Sequence, residues 1–240
     1  MSFSNLTDDS KNSCLGCTKR KNSLLSDLSA RELKILNKNR YSVSYNPGEI
    51  ICKDGTKPLG LICLNKGKVK IVRRRLNGTE QIVGLKQSVD FIGFRALMVG
   101  NSCLSSSIAL EETNICIINK KDFFKVIEIN KKLAFKIIQS LALSLIEKDS
   151  SLVNITQKHI RARLAEALIL IYNIYGTNPS NGFLNVLLKR SELAGLANMT
   201  TANAIRVLSS FNKDKLVEVS HRKIKINNLE VLKEISVFDR

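Results

Sequence analysis

The chain has 240 residues, 44% of them hydrophobic and 25% charged, with 38 Lys and Arg against 21 Asp and Glu. That length suits one large or two modest domains at ~100–200 residues each, and no apolar run approaches the ~20 residues of a membrane-crossing helix. The net charge of +17 favours a polyanionic partner without locating it, because the excess is spread: +6 over residues 156–240 (13 against 7) and +11 over residues 1–155 (25 against 14).

The opening MSFSNLTDDSKNS has acids and no basic-then-apolar order, so it does not read as a secretory signal, and a cytoplasmic protein is expected. In that setting the six cysteines, at 14, 17, 52, 63, 103 and 116, are not expected to form a disulfide framework. Catalysis has little to draw on. There is no Gly-rich phosphate loop, no Gly-x-Ser-x-Gly and no His-Glu-x-x-His, and only His159 and His221 are available. The chain is read as a non-enzyme.

Residues 1–13 are polar and expected to be mobile. Cys14-Leu-Gly-Cys17 follows, then Lys19-Arg20-Lys21. Ser29-Ala-Arg-Glu32 has the spacing of a capping box and predicts a helix over 29–39. From Tyr41 to Ile118 the apolar period becomes two. Strands are predicted at Tyr41–Tyr45, Glu49–Lys53, Leu61–Leu64, Val69–Val72, Gln81–Leu85, Ile108–Leu110 and Ile115–Ile118. Asn46-Pro47-Gly48, Asp54-Gly55, Lys66-Gly67 and Asn77-Gly78 supply the turns, and Asn-Gly between alternating runs is a strong hairpin signal. Short strands at this spacing suggest an antiparallel roll. Cys52 and Cys63 lie within the alternation and read as small core residues.

Helical character returns at Phe123–Ile129. A long amphipathic segment follows over about 131–154, with Leu133, Ile137, Leu141, Leu145, Lys148, Leu152 and Ile155 three or four residues apart. That spacing suits a seam between two chains. The same line could instead pack on the chain's own roll. Phe135, Ile138, Leu143 and Ile146 lie off the line, so one face can meet the roll while another meets a second chain. Thr156–Tyr175 is a further helix, with Ile160, Leu164, Leu168 and Ile171 on one stripe. Ser191–Leu196 and Thr200–Phe211 then read as two short helices around a tight turn at Ala197–Asn198. Two alternating runs, Leu216–Val219 and Ile224–Ile226, flank the basic turn His221-Arg222-Lys223. Together these predict a winged helix-turn-helix. The fold class expected is α+β, in four parts. These are an arm at 1–28, a roll at 29–130, a dimerisation helix at 131–155 and a DNA-binding domain at 156–240.

This order resembles the CRP/FNR superfamily of bacterial transcription regulators. The local motifs Asn46–Gly55, Asn77–Gly84 and Asp90–Ala96 look nearer the FNR branch than the cyclic-AMP receptor. The resemblance implies a cyclic-nucleotide-binding-like roll, a homodimer joined through the long helix (Leu133, Ile137, Leu141, Leu145 and Leu152), a two-fold symmetric DNA operator, and RNA polymerase as a further partner. The second helix would enter the major groove. There Ala204, Val207, Leu208 and Phe211 form the packing stripe, leaving Thr201, Ala202, Ile205 and Arg206 outward. Arg206 is the expected base reader, because its planar fork matches guanine O6 and N7. Thr200, Thr201 and Asn203 sit at the helix start, and Lys189, Arg190, His221, Arg222 and Lys223 are expected phosphate contacts. The family commonly has Glu where this chain has Ala202, and the FNR branch has Ser where it has Ile205.

Two signals remain open for the roll. A cyclic nucleotide would need an arginine to pair its phosphate, and Asn101–Ser107 has none, so cyclic AMP is not expected. The FNR-type alternative is a [4Fe–4S] cluster on three N-terminal cysteines and one from the roll. Cys14, Cys17 and Cys116 match three of those positions and Ser23 stands at the fourth. Cys103 could substitute. The cysteines could also bind another metal, react with oxidants, or simply pack. A nucleotide-binding module or a structural dimer without specific DNA recognition stands as the alternative function.

Overall fold

A computed structural model describes the backbone of residues 13–74 and 80–238, and their side chains except at 150–156 and 238. The expected Asn77–Gly78 turn, the side chains of Leu152 and Ile155, and most of the polar N-terminus lie outside these described residues. The chain forms two compact units, Met1–Arg73 with Lys86–Leu145, and Arg74–Leu85 with Ile146–Arg240.

The first unit opens with an arm containing a 3-10 turn at Thr18–Asn22, then α1 (Ala30–Asn37). The expected capping box is present: Ser29 N–H donates to Glu32 Oε2 at 2.7 Å, and Glu32 N–H donates back to Ser29 Oγ at 3.4 Å. The strands that follow in the chain are β1 (Tyr41–Tyr45), β2 (Ile50–Cys52), β3 (Gly60–Lys66), β4 (Lys68–Arg74), β5 (Glu80–Gln87, which up to Leu85 is grouped with the second unit), β6 (Phe91–Ile92), β7 (Ser106–Ala109) and β8 (Thr113–Asn119). They form two four-stranded sheets, ordered β1-β8-β3-β6 and β2-β7-β4-β5, which is the expected antiparallel roll. Gly67 turns β3 into β4 at φ +107°, and a Cβ there would meet the Thr113 backbone at 2.8 Å, so glycine is required. A short helix, α2 (Phe94–Val99), follows β6; the sequence reading did not anticipate it.

Period-two alternation sorts the roll's apolar side chains onto two faces. Ile62, Leu64, Val69, Ile92 and Ile115 join Cys52 and Cys103 in the interior between the sheets. Leu61 and Ile118 point to the other face and pack with Leu33, Leu36, Phe123, Val126, Leu133 and Ile137. Burying each such side chain is worth ~1.5–3 kcal/mol. The second cluster holds α1, α3 (Lys120–Ile129) and the start of α4 (Lys131–Gln157) against the first sheet.

α4 changes the expected seam. Leu133 and Ile137 are 2% and 3% exposed in their own roll's core, so these two positions are closed to a second chain, while Leu141 packs beside them half-buried. Leu145 stands 65% exposed, in company with Phe135, Ile138, Leu143 and Ile146 at 60–61%. The apolar face left open is therefore mostly the off-line set. The division between units also falls within α4, between Leu145 and Ile146, rather than at its end.

The second unit contains α5 (Ile160–Tyr175), α6 (Arg190–Leu196), α7 (Thr201–Lys213), the hairpin β9 (Val217–Ser220) with β10 (Lys223–Ile226), and α8 (Leu229–Phe238). The stripe Leu164, Leu168 and Ile171 of α5 is buried. α8, not anticipated from the sequence, packs on α5 and buries Leu232 and Ile235.

Candidate functional site

The face of α7 is set by its cap and by its buried stripe. Thr200 Oγ1 accepts from Asn203 N–H at 3.2 Å, which satisfies one of the open donors of the first turn. Ala204, Val207, Leu208 and Phe211 are all buried, as the periodicity requires. Thr201, Ala202, Ile205 and Arg206 are exposed together on the opposite face, and Asn203 is half-buried between the two. Arg206 Nη2 donates to Asn203 Oδ1 at 3.1 Å, so the guanidinium is already steered along the helix start. The turn before α7 passes through Asn198 at φ +51°.

The wing is a two-residue hairpin. Ser220 pairs with Lys223, leaving His221 (φ +52°) and Arg222 at the tip. His221, Arg222 and Lys223 are exposed, and so is Lys189, whose N–H donates to Glu192 Oε2 at 2.7 Å. Arg190 is placed differently from the expected phosphate contact. Its Nη2 donates to the His221 carbonyl, its Nη1 is buried without a hydrogen-bond partner, and burial holds its pKa below the usual value. It braces the wing against α6.

Two further arginines, both on α5, position this surface; the sequence sets them outside the apolar stripe of that helix but gives them no role. Arg161 lies over the Phe211 ring at 4.8 Å and donates to Ser210 Oγ at 2.6 Å and Asp214 Oδ2 at 3.0 Å. Arg163 Nη1 donates to the Asn198 carbonyl at 2.6 Å, at the turn between α6 and α7. Counting charge could not separate these arginines from solvated ones. The clue available was their place beside the apolar stripe of α5.

A second constellation lies in the first unit. The arm is tied down by Cys14 N–H to Asn37 Oδ1 at 3.1 Å, by Lys19 to the Asn65 carbonyl, and by Arg20 Nη1 to the carbonyls of Leu25 (3.1 Å) and Ser26 (2.8 Å). Strand register sets Cys63 directly opposite Cys116. Cys14, Cys17, Cys63 and Cys116 thereby line one cavity of about 210 Å³, together with Arg20, Ser23 and Arg40. Arg40 is 7% exposed, and its Nη1 donates to Cys116 Sγ and to Ser42 Oγ, each at 3.0 Å. Burial pushes the Cys14 thiol up to about 11 and the Cys63 thiol well above its ordinary value. Among the described residues, no three His, Cys, Asp or Glu are arranged to hold a metal ion. The four sulfurs surround a space rather than a point.

The three cysteines expected to act together do share this cavity. Cys63, read from sequence as a core residue, joins them. Cys103 does not: its Sγ lies 2.9 Å from Cys52 Sγ in the roll interior. The Asn101–Ser107 segment folds back on the turn at 53–56, through Cys103 N–H to the Thr56 carbonyl (2.9 Å) and Asp54 N–H to Ser106 Oγ (3.0 Å).

The first unit is thus an antiparallel β-roll, and the second a braced helix-turn-helix with a wing, the architecture of a DNA-binding domain. Residues 42–130 match the cyclic nucleotide-binding domain family, and residues 162–235 the Crp-like helix-turn-helix family. The "Cyclic AMP receptor protein" of Thermus thermophilus is 24% identical over 80% of this chain and 86% of its own length. The "Fumarate nitrate reduction regulatory protein" of Klebsiella oxytoca is 22% identical over 79% and 76%. The solved structure of FixK2 from Bradyrhizobium japonicum has the same fold at a TM-score of 0.71, with 18% identity over 82% of this chain and 98% of that one. The chain thus carries a cyclic nucleotide-binding domain and a Crp-like helix-turn-helix domain, and it is similar along most of its length to transcription regulators of the CRP and FNR types. Its relatives include both cyclic-AMP-receptor and FNR-type proteins, so they do not assign it to a branch. Among the described residues, no helix is long and apolar enough to cross a membrane.

Proposed function

We propose that the protein is a sequence-specific transcription regulator that binds a two-fold symmetric operator as a homodimer and takes its signal at the roll. The observation that carries this reading is the exposed face of α7, with Thr201, Ala202, Ile205 and Arg206 outward on a helix held from behind by Arg161 and flanked by a basic wing. Arg206 reads a guanine edge, Ala202 and Ile205 meet thymine methyls, and Lys189, Arg222 and Lys223 meet phosphates. The second chain is met by the open face of α4, through Phe135, Ile138 and Leu145. The signal enters at the thiol-lined cavity, and the cysteines that line it support an FNR-type reading. RNA polymerase is the partner such a regulator addresses once bound.

Selection from random duplexes tests the reading. Enrichment of a two-fold symmetric motif with half-sites one helical turn apart is expected, as for paired recognition helices. No enrichment at any salt concentration would leave the structural dimer as the better account.

A further inference from the structure

Four of the six cysteines line one cavity, and Cys63 is brought there by β3 rather than by the arm. We propose that Cys63 is the fourth protein ligand of an iron–sulfur cluster held by Cys14, Cys17, Cys63 and Cys116, with β3 supplying the thiol that the arm lacks at Ser23. This rests on the reading of the roll as the part that takes the signal.

The donor set is the first argument. Such clusters are held by four cysteine thiolates, and four thiols line this cavity. Ser23 also lines it but is a poor candidate. Its hydroxyl is far less acidic than a thiol, and it is committed locally, donating to the Arg20 carbonyl at 2.8 Å and accepting from Leu25 N–H at 3.1 Å. Cys63 faces Cys116 across adjacent antiparallel strands, where opposed Cβ atoms stand ~4.5–5.5 Å apart on the same face.

Space is the second argument. One zinc ion would draw four sulfurs to ~2.3 Å from a single point. The cavity that the four cysteines line with their neighbours is about 210 Å³. That room suits a group of several metal and sulfide atoms. Charge is the third argument. Arg40 already donates to Cys116 Sγ at 3.0 Å, and Arg20 has a buried Nε with no hydrogen-bond partner. A thiolate-ligated cluster is an anion whose potential depends on hydrogen bonds to its sulfurs, and two guanidinium groups on the lining complement it.

Loading is a ligand exchange. Each thiol gives its proton to solvent as its sulfur bonds to iron, and a water or external thiol leaves that iron. Iron and sulfide come from outside the chain.

The test is anaerobic reconstitution of the full chain with iron and sulfide, read by visible absorption, iron and acid-labile sulfide. The expected result is iron and sulfide in equal amounts, two or four of each per chain. Cys63→Ser should lose most of the absorption, Cys103→Ser should keep it, and the double variant Cys63→Ser with Ser23→Cys should regain it. The double variant separates a lost ligand from a misfolded roll. Full loading of Cys63→Ser, no regain in a folded double variant, or one zinc per chain without sulfide overturns the proposal. A colourless chain that still selects a symmetric duplex motif sinks the cluster and leaves the regulator standing. A loaded chain that selects no duplex does the reverse.

Discussion

Individual residues divide by whether they read DNA or hold the reader. Arg206 is exposed and, among the described residues, donates to Asn203 Oδ1 at 3.1 Å. Arg206→Ala is expected to relax base preference at one position per half-site, by the ~1–3 kcal/mol of a bidentate contact. A selected motif unchanged at every position would remove it from the reading face. Arg161 makes three contacts to α7 or its C-terminal cap. Arg161→Ala should lower affinity for all duplexes alike and lower the melting temperature, leaving the motif itself intact. At the other end of the chain, the hydrogen bond from Ser29 is the chief cause that holds the Glu32 carboxyl below its ordinary value, with Asn130 assisting. A carboxyl lowered in this way contributes stability above its unfolded value and loses it as pH falls through the folded one. Ser29→Ala should therefore cost about 1 kcal/mol at neutral pH. The cost should shrink below pH ~4, as thermal melts at two pH values would record.

At the scale of elements, α4 decides the most. Its heptad-like line was legible in the sequence, and so was the existence of a second apolar face. Which face the roll claims was not legible, because Leu133 and Phe135 are equally apolar as letters. Packing against Phe123, Val126 and Leu36 claims Leu133 and Ile137, which leaves Phe135, Ile138 and Leu145 outward. Ile138→Glu or Leu145→Glu is expected to give monomers in light scattering at unchanged fold content, while Ile137→Glu should unfold the roll instead. A dimer that survives both outward substitutions would place the seam elsewhere. The helix-turn-helix was the better case for sequence. A single period of 3.6 with a Thr cap and one buried stripe fixes both the face and the start of α7.

For the whole molecule, the basic charge proves to be partly structural. Arg161, Arg163 and Arg190 are engaged with protein groups, and Arg20 and Arg40 belong to the arm and the thiol cavity. If two chains each present Lys189, Arg222 and Lys223 to phosphates, the affinity should fall with salt at a log–log slope of about −5. A slope near zero would mean that the wing and α6 do not approach the backbone.

The sequence alone determined the order of parts, the strand-rich roll, the position of α7 and its outward face. Each of these follows from short-range periodicity and local capping, which are written in neighbouring residues. Only the tertiary structure decided the grouping of cysteines and the duty of each arginine. Cys63 alternates with apolar neighbours on a strand buried on both faces, so period two could not say which face it takes or what it meets there. Register with β8 places it across from Cys116, and the folded arm brings Cys14 and Cys17 to the same cavity. Contacts between residues so far apart in the chain are fixed by strand pairing and packing, and no local pattern encodes them.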